Sequence, residues 1–558
     1  MSTTADAGGG RQGGALSRLH YLLLALFCVA AFVPGISSLP PTDRDESRFV
    51  QATKQMVETG DFVDIRFQDV PRYKKPAGIY WLQAAVVLAS GDGADAPIWV
   101  YRTVSVAGAL VSVLTAAWLG ARMFGSSAGL VAGFGMAGIL MLGFEARIAK
   151  TDAALLATAL IAQAALAAVY LGHRQGVASP RAPWVFWAAQ GAAILIKGPV
   201  IPALSLATVV AIAFLDRDRG WLRRLKAGRG AVLALLIAAP WLAVITWKSG
   251  AEFWQEAIGR DFLGKVASGQ ESHGFPPGYY FILYSATFWP FGIPAIAAGL
   301  AALPRLKSDP RLLFCLAWYL PYWIAIELMP TKLPHYILPA YPALVMLMAW
   351  ATTEAMPVLS GWRMWLTRAT VLGAAVVTIG LAAVAVGATP YLLGTVSWWG
   401  LLAALLLLLA GWLGSGIRPP LVEPARTGLA AAAAAAALGV LSSAVVPALT
   451  PVWLSPQIAE VFAAKKPCPR SRLVAAGYHE PSLVFLAGTD TLLTDGAAAA
   501  AELEKDACTV ALVTDDQLEA FDAGLADGVS GVVEIGRIEG VNYSKGAQRT
   551  LTLFARAP

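Results

Sequence analysis

Clusters of ionisable residues punctuate an otherwise apolar chain, and their types suggest handling of an anionic substrate. Asp45-Glu46-Ser47-Arg48 is followed by Tyr73-Lys74-Lys75-Pro76, and further on by Glu145, Arg147, Lys150, Thr151 and Asp152 within eight positions. Arg260, Asp261, Lys265 and His273 come next, then Lys332-Leu333-Pro334-His335-Tyr336. Asp45 and Asp152 are candidate catalytic carboxylates, able to take a proton or to stabilise a developing cation. Glu46, Arg48, Lys75, Arg147, Lys150, Arg260, His273, Lys332 and His335 are candidate binding groups, most of them suited to holding a phosphate. Each cluster also has a plain structural reading. Thr42-x-x-Asp45 and Asp43-x-x-Glu46 match a capping box, lysines beside an apolar helix snorkel, and 145–152 reads as a solvated hairpin tip. No Cys/His cluster has zinc-ligand spacing, so neither a structural metal nor redox chemistry is expected.

The elements that must position these groups are membrane helices. Of 558 residues, 57% are hydrophobic and 14% charged, against about 25% charged in soluble proteins. That balance excludes disorder, a fibre or an ordinary soluble enzyme. The net charge of +6 comes without a basic run interleaved with aromatics, so no nucleic-acid partner is expected. Taking roughly 20 apolar residues per crossing, spans are predicted near 20–38, 99–121, 126–146, 152–171, 183–196, 199–215, 230–248, 279–302, 311–329, 334–355, 369–389, 397–414 and 428–447. The segment 77–90 is short. If it does not cross and the N-terminus is cytoplasmic, the Arg-rich loops, such as the one from Arg217 to Arg229, all fall inside. The expectation is 13 spans, with 77–90 a juxtamembrane or re-entrant helix and every ionisable cluster on the outer face.

Three parts follow. Residues 1–18 read as a flexible cytoplasmic tail, 19–448 as the transmembrane part with an outer juxtamembrane loop at 39–98, and 449–558 as an outer α/β domain. In the loop, Phe49, Ala52, Met56 and Val57 form one apolar face over Asp45 to Glu58, which predicts an amphipathic helix lying on the membrane. In the last part, 472–476, 509–514, 531–535 and 550–555 read as strands, and 480–486 and 517–525 as helices. Cys468 and Cys508 could pair there, while Cys28 and Cys315 sit in apolar segments as small core residues.

Taken in order, these motifs resemble a known family. Asp45-Glu46-Ser47-Arg48 with Arg72-Tyr73-Lys74-Lys75-Pro76 and Tyr80-Trp81 is similar to the first outer loop of the bacterial aminoarabinose transferases that modify lipid A. These belong to the larger protein O-mannosyltransferase-like group. Arg147 with Thr151-Asp152 resembles the family's second acidic motif, and Lys332-Leu333-Pro334-His335-Tyr336-Ile337-Leu338-Pro339 its last outer turn. The resemblance covers about residues 20–350. It implies a GT-C fold in the inner membrane with its site facing the periplasm, a polyprenyl-phosphate-linked sugar as donor, and lipid A or another envelope glycolipid as acceptor. Carried over by motif, Asp45 matches the catalytic acid, Asp152 the second acid, and Arg48 and Lys75 residues around the donor phosphate. Lys74 stands where relatives often have a Glu linked to a metal, which puts a divalent metal in doubt here, and no other cofactor is expected. Two other readings stay open: a protein O-glycosyltransferase of the same superfamily, and a lipid or solute transporter without transferase activity.

Overall fold

The computed structural model describes residues 15–264, 274–353, 359–416, 422–525 and 531–557. Most of the expected N-terminal tail, together with Lys265 and His273, lies outside the described residues. Among the described residues six helices are long and apolar enough to cross a membrane: Ile98–Phe124, Asp152–Arg174, Trp221–Ser249, Pro310–Leu328, Trp362–Leu393 and Pro424–Ala448. Shorter apolar helices include Arg18–Phe32, Val200–Leu215 and Trp398–Gly414. The ambiguous segment forms the helix Gly78–Ser90. At 1.5 Å per residue its 13 residues reach about 20 Å, short of a hydrocarbon core of about 30 Å.

Two glycines set how closely the helices behind the ionisable clusters approach. A Cβ on Gly108 would stand 2.7 Å from the Ala153 backbone, so only glycine lets Ile98–Phe124 seat against the start of Asp152–Arg174. A Cβ on Gly78 would lie 2.7 Å from the Leu195 carbonyl. The helix Gly78–Ser90 thereby packs on the end of Ala182–Lys197.

The helix expected on the membrane surface runs Asp45–Thr59, and both of its faces meet other parts of the chain. Phe49, Ala52 and Met56 join the transmembrane core, and Val50 packs with Phe485 of the C-terminal domain. Gln51 Nε2 donates to Thr489 Oγ1 at 2.8 Å, and Lys54 Nζ to the Phe485 carbonyl at 3.3 Å. Its polar face is the docking face for the C-terminal domain. Below the helix a two-residue hairpin pairs β1 (Arg66–Phe67) with β2 (Val70–Pro71).

The C-terminal domain holds a five-stranded sheet of β3 (Arg472–Ala476), β4 (Leu492–Thr494), β5 (Thr509–Thr514), β6 (Val532–Asn542) and β7 (Ala547–Arg556), in the order β4-β3-β5-β7-β6. β3 is parallel to β4 and β5, and β7 is antiparallel to β5 and β6. Side chains alternate between two cores, as a pleated strand requires. Leu473, Val510 and Leu512 pack with Ile458 and Phe462 on one face, and Val474, Ala511 and Val513 with Leu503 and Phe521 on the other. The expected strands and helices are present within a few residues, but β6 continues to Asn542 through an irregularity between Glu534 and Gly536. The strand β4 and the helices Leu454–Lys465 and Gly496–Lys505 were not expected, because β4 is three residues long and the second helix opens on an alanine run without periodicity. Cys468 and Cys508 form a disulfide.

Candidate functional site

The turn between Glu145 and Asp152 is the anchor of the site, and it is held from three sides. Ser105 Oγ donates to the Ile148 carbonyl at 2.6 Å, Gln83 Nε2 to the Ala149 carbonyl at 3.2 Å, and the Ala149 amide to Glu46 Oε1 at 2.8 Å. Glu46 therefore does structural work rather than meeting a substrate. Its fully buried carboxylate takes Arg102 Nε at 2.8 Å and Nη2 at 2.9 Å, plus the amide and hydroxyl of Thr42. Burial raises the Glu46 carboxyl, but Arg102 and the two amides outweigh it and the net shift is downward. Arg102, absent from the sequence-based candidates, also donates to the Ile36, Leu39 and Pro40 carbonyls. Its single position inside an apolar span was the available signal, since a charge there needs a partner.

Three spaces open around this turn. A small polar pocket of about 60 Å³ is lined by Asp45, Arg48, Lys75, Lys150, Asp152 and His335, with Lys74, Lys197 and Asp261 beside them. An apolar slot of about 210 Å³ runs from it between the helices Asp152–Arg174, Val200–Leu215 and Pro310–Leu328, past Leu155, Ala203, Ile326 and Met329. A vestibule of about 760 Å³ lies on the other side, between Asp45, Arg48, Arg72 and Lys74 below and His479, Glu480 and Lys545 of the C-terminal domain above.

The two aspartates occupy opposite environments. Asp152 is buried, with Lys197 Nζ at 2.6 Å, Lys150 Nζ at 3.8 Å and His335 Nε2 at 3.8 Å. Lys150 is also held by Glu145 at 2.9 Å and approaches His335 Nδ1 at 3.5 Å. Burial alone would lower the Lys150 ammonium, but Glu145 and Asp152 raise it overall, so it stays charged. Asp45 by contrast is exposed at the first turn of its helix and accepts no hydrogen bond from a described residue. Neither expected capping box forms. Glu46 reaches back to Thr42 instead, and the Asp43 carboxylate accepts the Ser482 amide at 3.2 Å.

The cations divide likewise. Arg48 lines both the pocket and the vestibule, and its guanidinium makes no hydrogen bond or ion pair with a described residue. Lys75 is paired with Asp261 at 2.5 Å and donates to the Lys74 carbonyl at 3.0 Å. Besides Glu46, three sequence-based binding candidates lie apart from the pocket. Arg147 turns inward and donates to the Ala31, Pro34 and Gly143 carbonyls. Lys332 is buried and donates to the Ile326, Glu327 and Met329 carbonyls, closing the end of a helix. The Arg260 side chain is 82% exposed and pairs with Glu256 one helical turn away. Each is a buried or local partner of backbone or of its own helix, which spacing in the sequence could not separate from substrate contact. Lys197 and Asp261 join the pocket although the sequence-based candidates omitted them. Among the described residues no group of three or more His, Cys, Asp or Glu side chains is placed to hold a metal ion.

No family model matches the chain. It is similar to the undecaprenyl phosphate-alpha-4-amino-4-deoxy-L-arabinose arabinosyl transferase of Aeromonas hydrophila, 25% identical over 338 residues, which is 58% of each protein. The enzyme of the same name from Pseudomonas aeruginosa is 27% identical over 377 residues, 66% of this chain and 65% of that one. The chain thus spans 58% of the Aeromonas relative's length in the match. In fold it resembles the crystal structure of ArnT from Cupriavidus metallidurans bound to undecaprenyl phosphate, with a TM-score of 0.70 at 20% identity over 96% of this chain and 97% of that one.

Proposed function

We propose that the protein is a GT-C-type membrane glycosyltransferase of the inner membrane. It would move a sugar from a polyprenyl-phosphate donor to an anionic envelope lipid, lipid A being the acceptor that the resemblance favours. One observation carries this reading. The apolar slot and the polar pocket adjoin, sharing Lys75, Asp152, Lys197, Asp261, His335 and Tyr336 as lining. A prenyl chain fits the slot, and its phosphate then meets the cations at the pocket floor. The vestibule supports an anionic acceptor, since Arg44, Arg48, Arg72, Lys74 and Lys545 outnumber Asp45, Glu256 and Glu480 there. The active face would be periplasmic, with 13 crossings, the N-terminus inside and the C-terminal domain outside. The shorter apolar helices would complete the count beyond the six long ones.

The reaction follows from charge. An acceptor oxygen attacks the anomeric carbon of the sugar while the bond from that carbon to the polyprenyl-phosphate oxygen breaks. Polyprenyl phosphate leaves with the bonding electrons, and Arg48 and Lys75 stabilise the charge it gains. Asp45 stabilises the oxocarbenium-like sugar, and would take the proton if the acceptor were a hydroxyl. Asp152 is neutralised by Lys197 and Lys150, so it sets their positions rather than acting as base. The test uses full-length protein in nanodiscs with an undecaprenyl-phosphate-linked sugar and lipid A. Acceptor-dependent release of undecaprenyl phosphate is expected. A transporter would bind the donor and release none, which would end this reading.

A further inference from the structure

The residues just before Asp45 are held by a distant part of the chain. The Asp43 amide donates to the Tyr543 hydroxyl at 2.6 Å, and its carboxylate accepts the Ser482 amide at 3.2 Å. The Arg44 guanidinium donates to the Ser544 carbonyl. Arg44 also has φ 66°, a region that a residue with a side chain occupies only where its surroundings hold it. The gripping end is itself fixed. Tyr543 and Ser544 sit in the β6–β7 turn, where Asn542 Oδ1 accepts the Ser544 amide at 3.1 Å and Asn542 Nδ2 donates to Glu480 at 2.9 Å. Farther along the helix, Thr489 takes Gln51 at 2.8 Å and donates to Glu58 at 2.8 Å. Asp45 makes no such bond, so its place at the pocket rim is set by its neighbours.

We infer that the C-terminal domain positions the Asp45 carboxylate, with Asp43, Arg44 and Tyr543 as positioning residues that clamp the first turn of the surface helix. This rests on the reading of Asp45 as the reacting carboxylate. The clamp explains why a sheet domain without any residue in the polar pocket is docked on the surface helix. It also explains the polar docking contacts along that helix, which hold its direction as the first-turn contacts hold its start. Precise placement matters because a misplacement of about 1 Å of a reacting group can cost about 10²-fold in rate.

The test compares wild type with Tyr543→Phe, and with Tyr543→Phe combined with Arg44→Gly, all full length in nanodiscs. Hydrogen–deuterium exchange is read at the amides of residues 42–48, and turnover with the undecaprenyl-phosphate-linked sugar. Tyr543→Phe removes one oxygen and keeps the ring, and Arg44→Gly accepts the positive φ while removing the guanidinium. Exchange at 42–48 should rise by up to about tenfold for the single variant, the scale of one lost hydrogen bond, and further for the double. The sheet strands should keep wild-type protection. For Tyr543→Phe, kcat should fall by about the same factor with donor KM unchanged. Unchanged exchange at 42–48 in the double variant would overturn the clamp, as would a rise spread over the whole domain. Raised exchange with unchanged kcat would overturn the positioning role. A wild-type protein that transfers no sugar would sink the proposed function instead, and the exchange result would still decide whether the domain holds this turn.

Discussion

Asp45 and Asp152 look alike in the sequence, each opening a helix beside basic residues, yet their surroundings assign them different work. Asp152 is 6% exposed and faces two lysines and a histidine, so its charge is already spent on holding those cations in place. Asp45 is exposed, accepts no hydrogen bond from a described residue and faces both the pocket and the vestibule. A carboxylate whose partners are fixed organises a site. One without partners remains available to a reacting sugar.

The sharpest way to break this contrast is to neutralise each in turn. Asp45→Asn should lower turnover by about 10²–10⁴-fold, the scale of a positioned acid–base group. Thermal stability should change little, since a surface substitution typically moves it within about 0.5 kcal/mol. Near-normal turnover in Asp45→Asn would make Asp152 the better catalytic candidate. Asp152→Asn should instead destabilise the fold by about 3–5 kcal/mol, the usual cost of removing one partner of a buried ion pair. Adding Lys197→Met should recover part of that loss, because the orphaned ammonium goes too. Thermal unfolding of the single and double variants would show it, and additive losses would contradict the pairing.

Lys75 tests the cation side with a smaller effect. It is already satisfied by Asp261 at 2.5 Å, so it must exchange that partner for the donor phosphate. Lys75→Ala should weaken donor binding by about tenfold, as expected for one charge-assisted hydrogen bond, with Lys75→Arg recovering part of it. Donor titration followed by intrinsic tryptophan fluorescence would measure this. If Lys75→Ala lowers turnover while donor affinity is untouched, the phosphate sits elsewhere and Arg48 becomes the cation to examine.

What the sequence made legible follows from how local each signal is. Strand alternation at Leu473 to Ala476 and Val510 to Val513, and the apolar face of Phe49, Ala52 and Met56, are written in neighbouring residues and lie close to where periodicity put them. The pocket's acids and bases were visible as clusters, because ionisable groups stand out against an apolar chain. Which of them turn inward was not visible. Glu46, Arg147 and Lys332 satisfy buried backbone or Arg102, and these partners lie between 3 and 116 positions away. The docking face of the surface helix was hidden for the same reason, since Gln51 meets Thr489 across 438 positions.

The smallest effect concerns the helix start, where the two aspartates' contrast meets the C-terminal domain. Burial raises the Asp43 carboxyl to about 6, reinforced by Glu480, although hydrogen bonds from Ser482 and Tyr543 pull the other way. Undocked, the group should titrate near the ordinary value of about 4. The docked state therefore binds more protons than the undocked state between about pH 4 and pH 6, and docking weakens as pH rises through that window, levelling off above it. Arg44 on the same segment and Glu480, Tyr478 and Tyr543 on the domain are the ionisable groups around it. After correction for intrinsic exchange, protection of residues 42–48 should fall between about pH 4 and pH 6 in the wild type and level off above that. Asp43→Asn keeps an oxygen to accept the Ser482 amide but cannot ionise, so its protection should stay level over the same range. Glu480→Gln should keep a slope, shifted toward lower pH because the repulsive neighbour is gone. Parallel slopes in wild type and Asp43→Asn would place the titration outside this contact and leave the clamp insensitive to pH.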